Sequence, residues 1–267
     1  MTDDLLADAY NAGLDHEKAG RLDEAEAAYR EALRLDPDDP GGVAVRLAAM
    51  GRGAAPAQAP QAYVATLFDQ HAEVFDGILV DQLGYAVPMT VRERVQVLGL
   101  GPFPRLLDLG CGTGLGAIAL EDMTSHLTGV DLAEGMVEVS DEKDVYDDLY
   151  VAEAAAFLQA ANEEDERWDM ILATDVLPYI GDADPFFDAA RPCMSPGAML
   201  AFSTETMPGL EGWRVTPHHR YAHARDYIEA QAARVGLTVV DVTDIIVRHE
   251  EGAPIPGHLY LMQADKV

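Results

Sequence analysis

From residue 105 onward, apolar segments of strand length alternate with segments of helical periodicity. The predicted strands are residues 105–109, 127–130, 149–151, 170–174, 198–204, 237–246 and 259–263. The predicted helices lie near residues 115–122, 134–140, 153–161, 184–193 and 223–235. This alternation is typical of a sheet whose parallel strands are joined by crossover helices on both faces. Because no helix separates the last two strands, we predict a doubly wound α/β sheet of seven strands whose last strand is antiparallel.

The chain before this α/β region has the pattern of short helices followed by a linker. Two predicted helices fill residues 3–35, with a break at Gly20, and another follows at residues 41–50. Residues 51–62 are rich in Gly, Ala and Pro, which is typical of a linker. The predicted division is a helical region at 1–50, a linker at 51–62 and a main domain at 63–267, whose first helices at 63–100 are candidates for a lid.

The charge balance excludes some classes of partner. Asp and Glu number 47 against 18 Lys and Arg, which gives a formal net charge of −29. A chain this acidic is disfavoured as a binder of nucleic acid or of an anionic membrane surface. The N-terminus is acidic and no run of about 18 apolar residues occurs, so we expect neither a leader nor a membrane span, and a cytoplasmic location. Cys111 and Cys193 lack the spacing of a metal or redox motif.

A glycine-rich turn directly follows the first predicted strand. Residues 108–114 read Asp-Leu-Gly-Cys-Gly-Thr-Gly, and glycines are needed where a backbone turns sharply beside a ligand. Asp108 would repel a pyrophosphate but attract an ammonium group. Asp131, at the end of the next strand, is placed to accept both hydroxyls of a ribose. The pair predicts a ligand with an amino-acid end and a nucleoside end; a dehydrogenase that binds NAD is a remote alternative.

This segment resembles the class I S-adenosylmethionine-dependent methyltransferases, over about residues 63–263. The front end resembles one tetratricopeptide unit at about residues 6–39, with small residues, Tyr29 and Pro37 at the matching positions. Predicted bacterial methyltransferases with an N-terminal repeat of this kind are similar in layout. The resemblance implies a Rossmann-like sheet and S-adenosyl-L-methionine as the cofactor.

The resemblance also assigns cofactor contacts position by position. Asp108 would lie near the methionine amino group, and Asp131 would hold the ribose hydroxyls. The floor beneath the methionine and ribose would be Gly110, Gly112 and Gly114. The adenine would meet Leu132, Met136, Glu153 and Ala154, and Thr174 and Asp175 would lie beside the sulfonium.

Simpler interpretations exist for several of these positions. Glu153 is also explained as an acid at a helix N-terminus, and Asp175 as a turn or capping residue. Phe68, Phe75 and Tyr85 are either lid residues over the cofactor or ordinary helix packing, and the second interpretation is favoured.

One locally basic segment follows the fifth strand and is the predicted acceptor side. It contains Arg214, His218, His219, Arg220, His223 and Arg225. Tyr221 and His223 are the candidate catalytic residues, and an acidic small molecule could be steered to this segment. Alternatives are structural histidines at a helix start, which are favoured, and a metal held by His219 and His223, which is disfavoured. We predict no metal site.

The predicted reaction is methyl transfer to a small molecule by in-line displacement, which mainly requires that acceptor and methyl group be aligned. The Asn/Asp-Pro-Pro-Tyr/Phe motif of enzymes that methylate nucleic-acid amino groups does not follow the fourth strand. One alternative is a protein methyltransferase that docks its partner through residues 1–50. Another is a non-catalytic protein that keeps the cofactor site for regulation or assembly. Residues 1–50 are otherwise expected to cover the main domain or form a dimer contact.

Overall fold

The computed structural model describes residues 2–250 and 252–266. Its first part is a helical region of three helices: α1 (Thr2–Lys18), α2 (Leu22–Leu35) and α3 (Val43–Ala49). Tyr29 of α2 is fully buried against α1, where a Cβ atom at Gly13 would lie 2.4 Å from the tyrosine ring. A small residue at this position therefore lets the two helices approach closely, as the repeat pattern predicts.

The next segment leads into the sheet and forms one wall of the site described below. It contains α4 (Gln61–Asp69), a 3-10 turn (Ala72–Val74), a π-helical turn (Gly77–Gln82) and α5 (Val87–Val97). We call residues 68–86 the lid segment. Its partly buried Phe75 and Leu83 pack against a core cluster that includes Val91 and Val95 of α5.

The main domain contains nine strands within the described residues. They are β1 (Phe103–Leu109), β2 (Thr124–Asp131), β3 (Asp148–Val151), β4 (Trp168–Ala173), β5 (Met194–Glu205), β6 (Trp213–Val215), β7 (Tyr221–His223), β8 (Leu237–Glu250) and β9 (Ala253–Ala264). The helices between them are α6 (Leu115–Leu120), α7 (Glu134–Asp141), α8 (Ala154–Glu163), α9 (Asp184–Ala190) and α10 (Arg225–Arg234). Single 3-10 turns lie at Glu121–Met123, Leu177–Tyr179 and Arg191–Cys193.

The strand pairing confirms the predicted architecture. Strands β3, β2, β1, β4 and β5 are adjacent in that order and parallel. Strand β9 pairs antiparallel with β5 on one side and with β8 on the other. The seven predicted strands therefore form one sheet whose last strand, β9, is antiparallel to its neighbours. The reversal follows from the direct connection between β8 and β9, since adjacent strands joined by a tight turn run in opposite directions.

Two short strands were not predicted. β6 and β7 pair antiparallel, and β7 meets the end of β5 through the single pair Glu205 and Ala222. The sequence predicts a helix from residue 223, but the helix α10 begins at Arg225 and His223 ends β7. The apolar content of Tyr221 and Ala222 is explained by their burial in this strand pair.

Helices cover both faces of the sheet and produce two apolar cores. One core contains Phe186 and Phe187 of α9, with Phe202 stacked on Tyr260 between β5 and β9. Full burial of a side chain of this size contributes about 1.5–3 kcal/mol. Cys111 and Cys193 are buried free thiols. Within the described ranges, no helix has the length and apolar character needed to cross a bilayer.

The second half of the predicted linker is attached to the main domain by backbone hydrogen bonds. The carbonyl of Ala57 accepts hydrogen bonds from the backbone N–H groups of Gly181 and Asp182, both at 2.8 Å. The N–H of Ala59 donates to the carbonyl of Tyr179 at 2.8 Å. We call residues 56–59 the strap. Because its backbone groups are paired with the segment after β4, the strap belongs structurally to the main domain.

The helical region also packs on the main domain, next to the strap. Val45 of α3 is fully buried in an apolar cluster with Ala59, Val215 and Tyr221. Glu17 of α1 lies 3.4 Å from the Nε2 atom of His219. The expectation that the helices cover the main domain is therefore met by α1 and α3.

Candidate functional site

A cavity lies at the carboxyl ends of the parallel strands, where open α/β sheets bind their ligands. Its empty volume is about 1040 Å³, including the space open to solvent. The glycine-rich loop forms its floor, Phe68, Phe75 and Tyr85 of the lid segment line it, and Gln58 and Ala59 of the strap complete the wall. The three aromatic residues line the cavity, and they also pack as the favoured interpretation predicts. Tyr85 and Phe75 belong to or pack against one apolar core, and Phe68 packs against another apolar cluster.

At two glycines of this segment, Gly110 and Gly116, an added side chain would collide with a neighbour. Gly110 has φ +64°, and a Cβ atom there would lie 2.5 Å from Cγ2 of Val176. A Cβ atom at Gly116, in the first turn of α6, would lie 2.3 Å from Oδ2 of Asp108. Only glycine satisfies both conditions, so the loop presents its backbone directly to the cavity.

Asp108, the last polar residue of β1, is almost completely buried at the edge of the cavity. Its Oδ2 accepts a hydrogen bond from the Tyr146 hydroxyl at 2.7 Å. Burial raises the pKa of Asp108 to about 7, and the nearby charge of Asp131 acts in the same direction. Burial therefore makes the ionised form of Asp108 unfavourable, and a cationic group bound beside it would offset that penalty. The residue is thus suited to an ammonium ligand.

We expect Asp108→Asn to stabilise the unliganded protein at pH 8 but not at pH 4. A carboxyl whose pKa is raised on folding favours the folded state at low pH, and this contribution is lost as the pH rises toward 7. Asparagine removes the buried charge, so the melting temperature at pH 8 should rise by roughly 5 °C. Thermal unfolding of both proteins at the two pH values measures this difference. A lower melting temperature for the variant at pH 8 would contradict it.

Asp131, the last residue of β2, lines the cavity and also binds the backbone of the glycine-rich loop. Its Oδ2 accepts the N–H of Gly112 at 2.8 Å, and its Oδ1 accepts the N–H of Ala133 at 2.9 Å. Burial raises the pKa of this carboxyl, whereas the backbone donors lower it. Each oxygen has a further lone pair, so two ligand hydroxyls can still be accepted.

Glu153 caps a helix, as the simpler interpretation of this position predicts. Its Oε2 accepts the N–H of Ala156 at 2.8 Å, which makes it the N-terminal cap of α8. It also lines the cavity, together with Ala154.

The structure brings most of the predicted cofactor residues together at this cavity. Its lining includes Asp108, Gly110, Gly112, Asp131, Leu132, Glu153, Ala154, Thr174 and Asp175. Gly114 and Met136 are not part of the lining. Gly114, with φ +89°, precedes α6, and Met136 is fully buried in an apolar cluster with Ala72 and Ala133. These two residues therefore support the walls from behind.

Three residues that sequence reasoning missed hold the site in shape. Besides Tyr146, these are Asp76 and Lys143. The Thr113 hydroxyl donates to Asp76 of the lid segment, and Nζ of Lys143 donates to Oδ2 of Asp76 at 2.6 Å. Nζ of Lys143 also donates to the carbonyl of Thr113 at 2.6 Å. The lid segment is thus tied to the glycine-rich loop, a contact between distant residues that no local pattern indicates.

Tyr221 and His223 lie outside the lining of this cavity, in contrast to their predicted catalytic role. The Tyr221 hydroxyl donates to the carbonyl of Pro56 at 3.0 Å. His223 is fully buried, and its Nε2 lies 3.1 Å from the carbonyl of Gly181. Burial lowers the pKa of His223 to about 4, so the ring is neutral at pH 7. Both side chains therefore stabilise the region around the strap.

The rest of the basic segment is divided among separate contacts. His218 lies 3.4 Å from Glu250, and Arg225 lies 2.6 Å from Glu229 of the same helix. Arg220 stacks over the ring of Tyr179, with its guanidinium 4.6 Å from the ring centre. No described Lys, Arg or His lines the cavity, so the basic segment that we expected to attract an acidic molecule is not part of the cavity wall. Among the described residues no group of three potential ligands is arranged to hold a metal ion.

Comparison with known proteins agrees with this geometry. Residues 107–200 match the family model of a methyltransferase domain, and residues 7–39 match that of a tetratricopeptide repeat. The chain is thus similar to a tetratricopeptide repeat over its first part and to a methyltransferase domain over the first part of its sheet. The methyltransferase domain match begins one residue before Asp108 and includes the glycine-rich loop, β2 and β4.

Individual relatives support the fold of the methyltransferase domain. A ubiquinone biosynthesis O-methyltransferase of Brucella anthropi is 28% identical over 151 residues, which cover 51% of this chain and 61% of that protein. The structure of N-methyltransferase NodS from Bradyrhizobium japonicum, in complex with S-adenosyl-L-homocysteine, matches with a TM-score of 0.59 at 16% identity, covering 75% of this chain and 97% of NodS. The [4+2]-cyclase SpnF matches with a TM-score of 0.56 at 14% identity, covering 76% and 95%. The fold is therefore shared by proteins with different named activities.

Proposed function

We propose that this chain is an S-adenosylmethionine-dependent methyltransferase that acts on a small molecule. The observation that carries the proposal is the placement of Asp108 and Asp131 in one cavity, beside a loop in which Gly110 leaves no room for a side chain. Carboxylates at these positions suit a ligand with an ammonium group and a ribose, and they disfavour a pyrophosphate. The names of the similar proteins, among them an O-methyltransferase and an N-methyltransferase, support the same activity.

In this proposal the protein contributes binding, orientation and exclusion of water. Asp108 faces the ammonium group, Asp131 accepts the ribose hydroxyls, and Leu132 packs against the adenine. The cofactor supplies a methyl group that is already activated by positively charged sulfur. Thr174 and Asp175, at the end of β4, face the place where acceptor and methyl group meet. The aromatic lid residues Phe68 and Phe75 keep water from this place, so alignment of the two reactants is the main requirement.

We expect the protein to bind S-adenosylmethionine, and Asp131→Ala to weaken this binding by roughly 10- to 100-fold. The variant loses an ionised acceptor for the ribose and also the fastening of Gly112. Isothermal titration calorimetry measures the affinity, and NAD in the same experiment tests the dehydrogenase alternative. Glu138→Ala is the matched control, because Glu138 is an exposed acid on α7. Equal affinity of the Asp131 and Glu138 variants, or tighter binding of NAD, would refute the proposal.

The alternatives have less support. In a protein methyltransferase, residues 1–50 would dock the partner, yet α1 and α3 already contact the methyltransferase domain through Glu17 and Val45. The second alternative is a protein that keeps the fold without transferring a methyl group, and the match to a cyclase is the observation in its favour. A cytoplasmic location is part of the proposal and agrees with two free buried thiols, which are typical of reducing compartments.

A further inference from the structure

The cavity is lined by acids alone among the charged residues that the structure describes. Asp108, Asp131 and Glu153 face the proposed cofactor half, and Asp175 lies at the end of β4. No described cationic side chain joins them in the lining. An acceptor carrying a carboxylate or phosphate would therefore enter without a counter-charge, whereas a cationic acceptor would find one in Asp175.

The conformation of Asp175 is held by the surrounding sheet. Its φ of +62° is uncommon for a residue other than glycine, and the Ser203 hydroxyl of β5 accepts its backbone N–H at 2.9 Å. Its side chain is one-fifth exposed, and Oδ1 has no hydrogen-bond donor. Unusual backbone conformations of this kind persist where the surroundings impose them, and they are concentrated at functional sites.

Charged groups from neighbouring elements lie near Asp175 but do not donate a hydrogen bond to its Oδ1 atom. The nearest cation is Arg248 of β8, whose guanidinium lies 3.8 Å from Oδ1, too far for a hydrogen bond. That guanidinium is engaged by Glu205 at 2.7 Å and by Glu250 at 3.3 Å. Arg220 also acts on Asp175, and burial raises the pKa of the Asp175 carboxyl despite both arginines. Because Oδ1 itself is closed to solvent, an acceptor in the cavity would reach Asp175 through the exposed part of its side chain.

The walls around Asp175 are aromatic. Tyr85 and Tyr179 line this end of the cavity, next to Phe68 and Phe75. Tyr85 is held by its burial in the apolar core that includes Val91, and Tyr179 by the guanidinium of Arg220 over its ring. Aromatic rings bind apolar groups, and their faces also attract cations. One carboxylate within an aromatic wall is an arrangement suited to an amine on an apolar body.

We propose, on the basis of the methyltransferase function above, that the acceptor is an apolar amine and that Asp175 binds its ammonium form and removes one proton. The proton passes from nitrogen to the Asp175 carboxylate, which leaves a neutral amine with a free electron pair. This pair forms the new C–N bond while the C–S bond of the cofactor breaks, and its electrons remain on sulfur. The products are the methylated ammonium and S-adenosylhomocysteine. Asp175 then releases its proton to solvent.

The test measures binding to protein saturated with S-adenosylhomocysteine, using 2-phenylethylamine, 2-phenylethanol and 3-phenylpropionate as probes that share one phenylethyl group and differ in the polar group attached to it. We expect the amine to bind about tenfold or more tightly than the alcohol, and the acid to bind weakest, since a buried carboxylate discriminates by charge. Asp175→Asn should remove the preference for the amine, because asparagine tolerates the same backbone conformation without the charge. Equal affinities, no measurable binding of the amine, or a preference that survives in Asp175→Asn would overturn the inference.

The control is Asp165→Asn. Asp165 has a similar φ of +58°, but its side chain is 94% exposed on the surface, so this substitution should leave all three affinities unchanged. The first step of the experiment separates the two proposals. Failure of S-adenosylhomocysteine to bind overturns the methyltransferase proposal together with this one. Binding of S-adenosylhomocysteine without the preference for the amine overturns only the acceptor class.

Discussion

Deletion of residues 1–60 is expected to abolish cofactor binding and to lower the melting temperature by roughly 10 °C. The deletion removes Gln58 and Ala59 from the cavity wall. It also removes three backbone hydrogen bonds between the strap and residues 179–182, each contributing about 1 kcal/mol. Val215 and Tyr221 lose their apolar cover at the same time. Calorimetry with S-adenosylmethionine and thermal unfolding measure the two effects.

A shorter deletion is the matched control. Removal of residues 1–40 takes away α1 and α2 but keeps α3 and the strap, so the cavity wall stays complete. We expect this variant to bind the cofactor within about threefold of the full chain, because none of the removed residues lines the cavity. The deletion does break the packing of α1 and α2 on α3 and the contact between Glu17 and His219. Cofactor affinity that is unchanged in the longer deletion would show that the strap is not part of the wall. If removal of residues 1–40 abolished methylation of a protein acceptor while cofactor binding was kept, docking through the repeat would be favoured instead.

The sheet and the glycine-rich loop could be predicted because their signals are local. Strand β1, the turn at Gly110 and the helix α6 follow one another in sequence. Each leaves a recognisable pattern there: an apolar strand, a glycine at the turn and a second glycine in the first turn of the helix. Asp108 and Asp131 were identifiable for the same reason, since parallel strands bring their carboxyl ends to one edge. Local pattern and final structure agree at these positions, as they do wherever burial does not override propensity.

The support of the site depends on contacts between distant segments and left no local signal. Tyr146 lies in a loop whose sequence is strongly acidic, yet its ring packs partly buried against the core and its hydroxyl reaches Asp108. The strap has the composition of a flexible linker, but its backbone pairs with residues after β4. His223 and Tyr221 have the chemistry of catalytic residues, and only the packing of β7 under the strap shows that they face away from the cavity.

Gly116→Ala is expected to destabilise the protein by about 1–3 kcal/mol and to weaken cofactor binding at least tenfold. The new Cβ atom would lie 2.3 Å from Oδ2 of Asp108 and 2.8 Å from Cδ2 of Leu172. Neither neighbour can move freely, because Asp108 is held by Tyr146 and Leu172 is fully buried in β4. Relief of the clash must therefore displace either the carboxylate or the first turn of α6, and both displacements change the floor of the cavity.

The direction of the change in the free energy of unfolding distinguishes the clash at Gly116 from an effect of helix propensity. Gly116 is in a helix, where replacement of glycine by alanine normally stabilises by about 1 kcal/mol. A decrease in the free energy of unfolding therefore cannot come from helix propensity and must come from the clash. Gly77→Ala is the control, because Gly77 begins the π-helical turn of the lid segment and an added Cβ meets no atom within 4 Å. Urea unfolding and calorimetry on both variants decide the matter: a Gly116→Ala protein as stable as Gly77→Ala, with unchanged cofactor affinity, would mean that Asp108 and α6 adjust without cost.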